Sequence, residues 1–126
     1  MPVAKSSFTI DSWDQDEVDP GVAKARVRKT YSGGIEGTSV TNILLGGAEG
    51  GEMAYSGFER FDARIDGRRG GFVLLHFATM NGPEPTATWR IVAGSGSGEL
   101  EGIAGTGEIV RHEDGSHDFS LDYALA

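Results

Sequence analysis

The chain has no cysteine among its 126 residues, which removes disulfides, thiolate metal sites and cysteine nucleophiles from consideration. That composition suits a reducing compartment, and a cytoplasmic protein is the expectation. No apolar run approaches the roughly 20 residues of a membrane helix, and Met1–Ser7 lacks the apolar stretch of a signal peptide. Basic residues are the minority, eleven against nineteen acidic, for a formal charge of −8. Such a surface repels phosphate backbones, so neither nucleic acid nor membrane is an expected partner. The local exception, Lys24-Ala25-Arg26-Val27-Arg28-Lys29, reads as a strand with a solvated basic face.

Proline is scarce, at four residues, whereas glycine is abundant at twenty, more than twice its usual share of about seven per cent. The glycines are interleaved with Val, Ile, Phe, Tyr and Thr, so they punctuate strands rather than form a linker. Helical periodicity is confined to Asp14–Val22, where a short helix or a loop would end at Pro20-Gly21. Elsewhere the period is two. Strands are expected at Ser7–Trp13, Val22–Tyr31, Ile35–Leu45, Glu52–Ile65, Gly71–Met80, Thr86–Ala93, Leu100–Val110 and His117–Leu125. Turn chemistry separates them, at Gly33-Gly34, Gly46–Gly51, Asp66-Gly67, Asn81–Pro85, Gly94–Gly98 and Asp114-Gly115. This pattern predicts one all-β domain over residues 1–126, a small eight-stranded antiparallel β-barrel.

Hairpin parity assigns the inner face. A two-residue Gly33-Gly34 turn would pair Lys29 with Thr38 and bring Glu59 into the same row. A turn at Asp66-Gly67 places Phe72, Leu74, His76 and Ala78 inside with Tyr55, Glu59 and Phe61, and His76 opposite Gly57. Trp89 is expected inside, facing Ala78. At the last hairpin a two-residue Asp114-Gly115 turn would set Glu108 against Leu121. Either a bulge near Gly105–Gly107 or a longer turn must correct this.

A series of segments runs in order along nearly the whole chain: Phe8–Trp13, Tyr31–Ser39, Tyr55-Ser-Gly-Phe-Glu-Arg60, Gly71–His76, Trp89-Arg-Ile-Val, Gly94-Ser-Gly-Ser-Gly-Glu-Leu100 and Leu121-Asp-Tyr123. It resembles the bacterial family catalogued as domain of unknown function 3224. Ser97 stands where that family's glycine-rich segment suggests threonine, and Leu75 where it suggests glutamine. The resemblance implies a calycin-like barrel similar to plant allene oxide cyclase and dirigent proteins. Those proteins guide cyclisation or coupling of reactive intermediates in an apolar cavity without a cofactor. The plant cyclase's catalytic motifs are not matched here.

Two motifs have plain readings. Gly94-Ser-Gly-Ser-Gly98 lacks the lysine and following helix of a phosphate loop and reads as a barrel corner. His112 and His117, flanking Asp114-Gly115, read as a solvated hairpin tip rather than a metal site. The informative set is Glu59, His76 and Lys29 on the predicted inner face, with Tyr55, Trp89, Phe72, Thr38 and Tyr31 as candidate ligand contacts. A buried carboxylate needs a cation or several donors. One reading is a small-molecule-binding barrel acting as a cofactor-free isomerase or cyclase on an apolar metabolite. In it Glu59 shuttles a proton, His76 orients or protonates, and Lys29 steadies an anion. The alternative is a non-catalytic binding or structural barrel whose polar network secures the fold. A protein-interaction module using the basic strand edge is a third reading. No cofactor or metal is called for, and a homo-oligomer is compatible with each reading.

Overall fold

Alternating residues pair into nine antiparallel strands among the described residues. The computed structural model describes residues 2–47, 51–80 and 86–125. In chain order the strands are β1 Val3–Asp19, β2 Val22–Gly33, β3 Ile35–Gly47, β4 Met53–Ile65 and β5 Arg68–Met80, followed by β6 Thr86–Ile91, β7 Ser97–Gly98, β8 Ala104–Arg111 and β9 His117–Ala124. The sheet order β4-β3-β2-β1-β9-β8-β6-β5 is joined end to end by β4–β5 pairing, so eight strands close into the expected barrel. Two-residue β7 is an addition to the start of β5. The turn residues 48–50 and 81–85 lie outside the described residues. Among the described residues no helix is long and apolar enough to cross a membrane.

The segment read as a short helix or loop is instead the second half of β1. Its acids stand across from the basic run of β2, Asp14 opposite Arg26 and Asp16 opposite Lys24. Opposite charges directly across a ladder favour strand pairing over an isolated, barely nucleated helix. Pro20-Gly21 closes this hairpin, with Gly21 at φ 81°, a geometry suited to proline followed by glycine.

A bulge at Asp11 shifts the β1–β2 register between Ile10 and Ser12. Thr9 Oγ1 and Thr30 Oγ1 donate to the Asp11 carboxylate at 2.9 and 2.5 Å and hold the extra residue on the outer face. Ala4, Ser6 and Phe8 are buried before the bulge. After it, Trp13 takes the inward parity opposite Val27.

Three hairpin registers differ from the expected pairing, the β5–β6 one by two residues with its parity kept. At β2–β3, Gly33 pairs back to Ser6 of β1 and Gly34 N–H donates to Lys5 O at 2.8 Å. The turn is therefore one residue longer than expected, Tyr31 meets Gly37, and Lys29 meets Ser39. At β5–β6 the hydroxyls of Thr79 and Thr86 lie 2.8 Å apart and pin a register in which Trp89 faces His76, while Ala78 meets Ala87. At β8–β9 the turn is the longer one: Arg111 pairs with His117, and Gly107 rather than Glu108 meets Leu121. The two-residue Asp66-Gly67 turn has positive φ at both residues (49° and 87°) and joins Ile65 to Arg68.

The interior is layered. One end is packed by Phe61, Phe72, Phe119, Ile65, Leu74 and Leu121, with Leu100 and Ile103 from the segment after β7 completing it. Phe61 and Phe72 stack at 4.5 Å between centroids. The Gly94–Gly98 segment is a corner there. The Ser95 and Ser97 hydroxyls accept from Val73 N–H (3.0 Å) and Gly71 N–H (3.2 Å), replacing the ladder partner that β6 no longer supplies. At the other end a small cluster of Ala25, Val27 and Ile43, with Leu45 and Tyr55 against it, lines rather than fills the barrel. On the outside, Leu44, Phe58 and Phe77 are exposed.

Glycine at position 57 is a packing requirement: a Cβ there would overlap the Asn42 carbonyl oxygen and crowd Ile43 on β3. Gly57→Ala should therefore cost about 1–3 kcal/mol in urea unfolding, as forced over-packing does. Gly46→Ala, whose methyl would meet only the Gly21 carbonyl at 3.8 Å, should stay within about 0.5 kcal/mol of the parent. Equal costs would mean that β3 and β4 do not approach closely at Gly57.

Candidate functional site

Between the two ends lies a layer of buried polar residues: Lys29, Ser39, Thr41, Glu59 and His76. Each sits on the inner face of its strand because the apolar alternation on either side leaves it no other orientation. Glu59 on β4 is completely buried. Its Oε1 accepts from His76 Nε2 at 2.7 Å and from Lys29 Nζ at 3.3 Å. Its Oε2 accepts from Tyr31 OH at 2.7 Å and from Ser39 Oγ at 2.5 Å. An ionised carboxylate has about four lone-pair sites, and here all are occupied. Because that carboxylate has no hydrogen to give, Nε2 of His76 carries the proton.

Burial alone would push the Glu59 carboxyl up. The His76 hydrogen bond, the charges on Lys29 and His76 and the Ser39 hydrogen bond outweigh it and hold the group down at about 2. Tyr31 is raised well above the usual phenol value, by burial first and then by the adjacent Glu59 charge. Its hydroxyl therefore stays a donor. Tyr55 is raised mainly by burial, with the nearby Trp89 indole N–H working in the opposite direction. Among the described residues that N–H finds no hydrogen-bond partner of ordinary geometry, and neither does the buried Thr41 hydroxyl.

Above this floor is a cavity of about 440 Å³. Phe8, Ile10, Trp13, Ile43, Leu45 and Tyr55 wall it, Lys29, Thr41 and His76 face it from below, and Arg111 and His117 stand at its mouth. His117 stacks on Phe8 at 5.0 Å, and Lys29 Nζ lies 4.6 Å over the same Phe8 ring. The wall is uneven. β1 pairs β9 only as far as Phe8 and His117, and β6 pairs β8 only at Trp89 and Arg90. Beyond those rungs Ile10 and Trp13 remain 42% and 47% exposed. A wider groove of about 640 Å³ runs over the outer surface, lined mainly by outward side chains such as Lys24, Arg26, Asn42 and Phe58. It has no buried polar floor.

His76 and Lys29 thus both bond Glu59, and Tyr55 lines the cavity. The other expected ligand contacts lie elsewhere. Thr38 is exposed on the outer face, because the longer β2–β3 turn puts Ser39 inside in its place. Phe72 is stacked within the packed end, away from the cavity. Tyr31 sits behind the floor, committed to Glu59. Trp89 packs edge-on to His76 at 6.4 Å without lining the space. His112 bonds Asp118 at 2.6 Å on the surface, as a hairpin tip would, whereas His117 turns inward. Parity reasoning missed Ser39, Thr41, Trp13, Arg111 and His117. The Ile35, Ile43 and Leu45 spacing was the available signal for the first two.

A carboxyl held at about 2 in the fold against an ordinary 4.5 ties on the order of 3 kcal/mol of stability to its ionised form. That contribution is complete above the unfolded value and is lost as pH falls through the folded one. Glu59→Gln should lower stability by about 1–3 kcal/mol at neutral pH, because it strands the buried Lys29 ammonium. The gap from the parent should narrow as pH drops from about 5 to about 2. Urea unfolding across that range checks both; a gap independent of pH would show that Glu59 is not held ionised by its donors.

In a comparison with curated proteins nothing matches the chain. The structure is similar to that of a protein of unknown function from the DUF3224 family of Shewanella oneidensis MR-1, with a TM-score of 0.90 and 26% sequence identity, covering 100% of this chain and 98% of that one. The family described as protein of unknown function (DUF3224) matches residues 4–123, from the first strand to the last. The chain belongs to the DUF3224 family.

Proposed function

We propose that this protein is a small-molecule-binding barrel whose polar layer holds the floor of the site rather than carrying out chemistry. The observation behind this reading is the apolar cavity of about 440 Å³ resting on a carboxylate with no free lone pair. Its volume lies in the range of small-ligand pockets, roughly 300–1,000 Å³. A general base works best with a pKa near the operating pH, and Glu59 at about 2 is far from it. The four donors that occupy its lone pairs also block an approaching substrate proton. The isomerase or cyclase reading, which assigned the proton to Glu59, is therefore less well supported than non-catalytic binding.

The neutral fluorophore N-phenyl-1-naphthylamine provides a test. It should bind with micromolar affinity and quench Trp13. Ile43→Trp, which fills the cavity from its wall, should weaken binding roughly tenfold or more while circular dichroism remains that of the parent. Phe58→Ser, in the outer groove, should leave it unchanged. Undiminished binding to Ile43→Trp would place the probe outside the barrel and end this reading.

A further inference from the structure

The chain carries a formal charge of −8, yet none of the described residues lining the cavity is acidic, while Lys29 and Arg111 both are cations. Glu59, beneath the floor, is matched by the Lys29 ammonium, with the His76 ring donating to the same oxygen, so Arg111 is the surplus permanent charge. Arg111 continues the inward row of Ile109 on β8 and stands opposite His117 on β9. Among the described residues it makes no ion pair. Within this hairpin the Asp114 and Asp118 carboxylates are engaged by Ser116 and His112, and among the described residues Glu113 makes no ion pair. Lys29 spends one N–H on Glu59 and rests on the Phe8 ring, and an ammonium has three donors. Burial lowers the His117 imidazole, and the charges of Arg111, Lys29 and His112 lower it further. That is the mark of a cation-rich mouth.

Resting on the binding reading above, we propose that the ligand is an organic monoanion. Its apolar body would lie against Phe8, Ile10, Trp13 and Tyr55, and its carboxylate or sulfonate would meet Arg111 at the mouth with His117 beside it, while Lys29 faces the same space from the floor. An anion entering an apolar site needs a cation and hydrogen-bond donors to offset its lost hydration. A guanidinium presents a planar fork to two oxygens of such a group. One surplus cation matches one negative charge better than the two of a phosphate monoester.

The experiment compares two probes with the same ring skeleton: 1-anilinonaphthalene-8-sulfonate and the neutral N-phenyl-1-naphthylamine. At low ionic strength the sulfonate should bind tighter by on the order of tenfold, and added salt should shrink the difference. Arg111→Gln, a change at an exposed position, should remove most of the difference, weakening the sulfonate far more than the neutral probe. Ile43→Trp should weaken both probes, and Phe58→Ser neither, which separates the cavity from the exposed outer patch. Equal or weaker sulfonate binding, or an equal loss of both probes in Arg111→Gln, overturns the anion proposal and leaves the cavity as a binding site. If the neutral probe also fails to bind, the binding reading falls with it.

Discussion

A carboxylate at 0% exposure in a barrel interior would ordinarily be forbidden, and the arrangement around Glu59 is what makes it tolerable. Its donors come from β2 (Lys29 and Tyr31), β3 (Ser39) and β5 (His76), so one side chain of β4 is tied to three other strands. A slip of one residue in any of these ladders would point a donor into solvent and leave the charge unmatched. Apolar residues tolerate exchange with one another, whereas this constellation does not. The polar layer therefore contributes to choosing one register among near-equals, a role attested for buried polar groups elsewhere.

The layer also divides the barrel. Below it the aromatic stack of Tyr31, Phe61, Phe72 and Phe119 fills the space. Above it the residues facing inward on β2 and β3 are Ala25, Val27 and Ile43, too small to meet across the lumen. The change from large to small side chains along the same strands leaves room for the cavity, and the Asp11 bulge then turns Trp13 toward it.

Much of this was legible from alternation alone. Glu59 shares the apolar face of β4 with Phe61, and the two-residue Asp66-Gly67 turn puts Leu74 and His76 on the same side, so the interior membership of Glu59 and His76 followed from parity. Loop geometry was less readable. The β2–β3 turn gains a residue because β1 grips Gly33 and Gly34 from outside the hairpin, a tertiary effect that local turn preference does not contain. Thr38 was exchanged for Ser39 on that account. The Asp11 bulge depends on hydroxyls from Thr9 and Thr30, the latter on another strand. The helix-like acids of Asp14–Glu17 acquire their strand identity from the basic residues they face on β2. In each case the deciding partner lies on another strand.

The uneven rim has a mechanical consequence. From Thr9 onward β1 has hydrogen-bond partners on β2 but none on its other side among the described residues. The distal β1–β2 ribbon is therefore anchored along one long edge, like a flap. Its inner face presents Ile10 and Trp13 to water, which the hydrophobic effect penalises at roughly 25 cal/mol per Å² of apolar area. Whatever covers that face recovers the penalty and restrains the flap in the same event. Occupancy of the cavity and local rigidity of the ribbon are thereby thermodynamically linked, so amide exchange along Thr9–Asp19 would report the filling of a space that its backbone does not itself enclose.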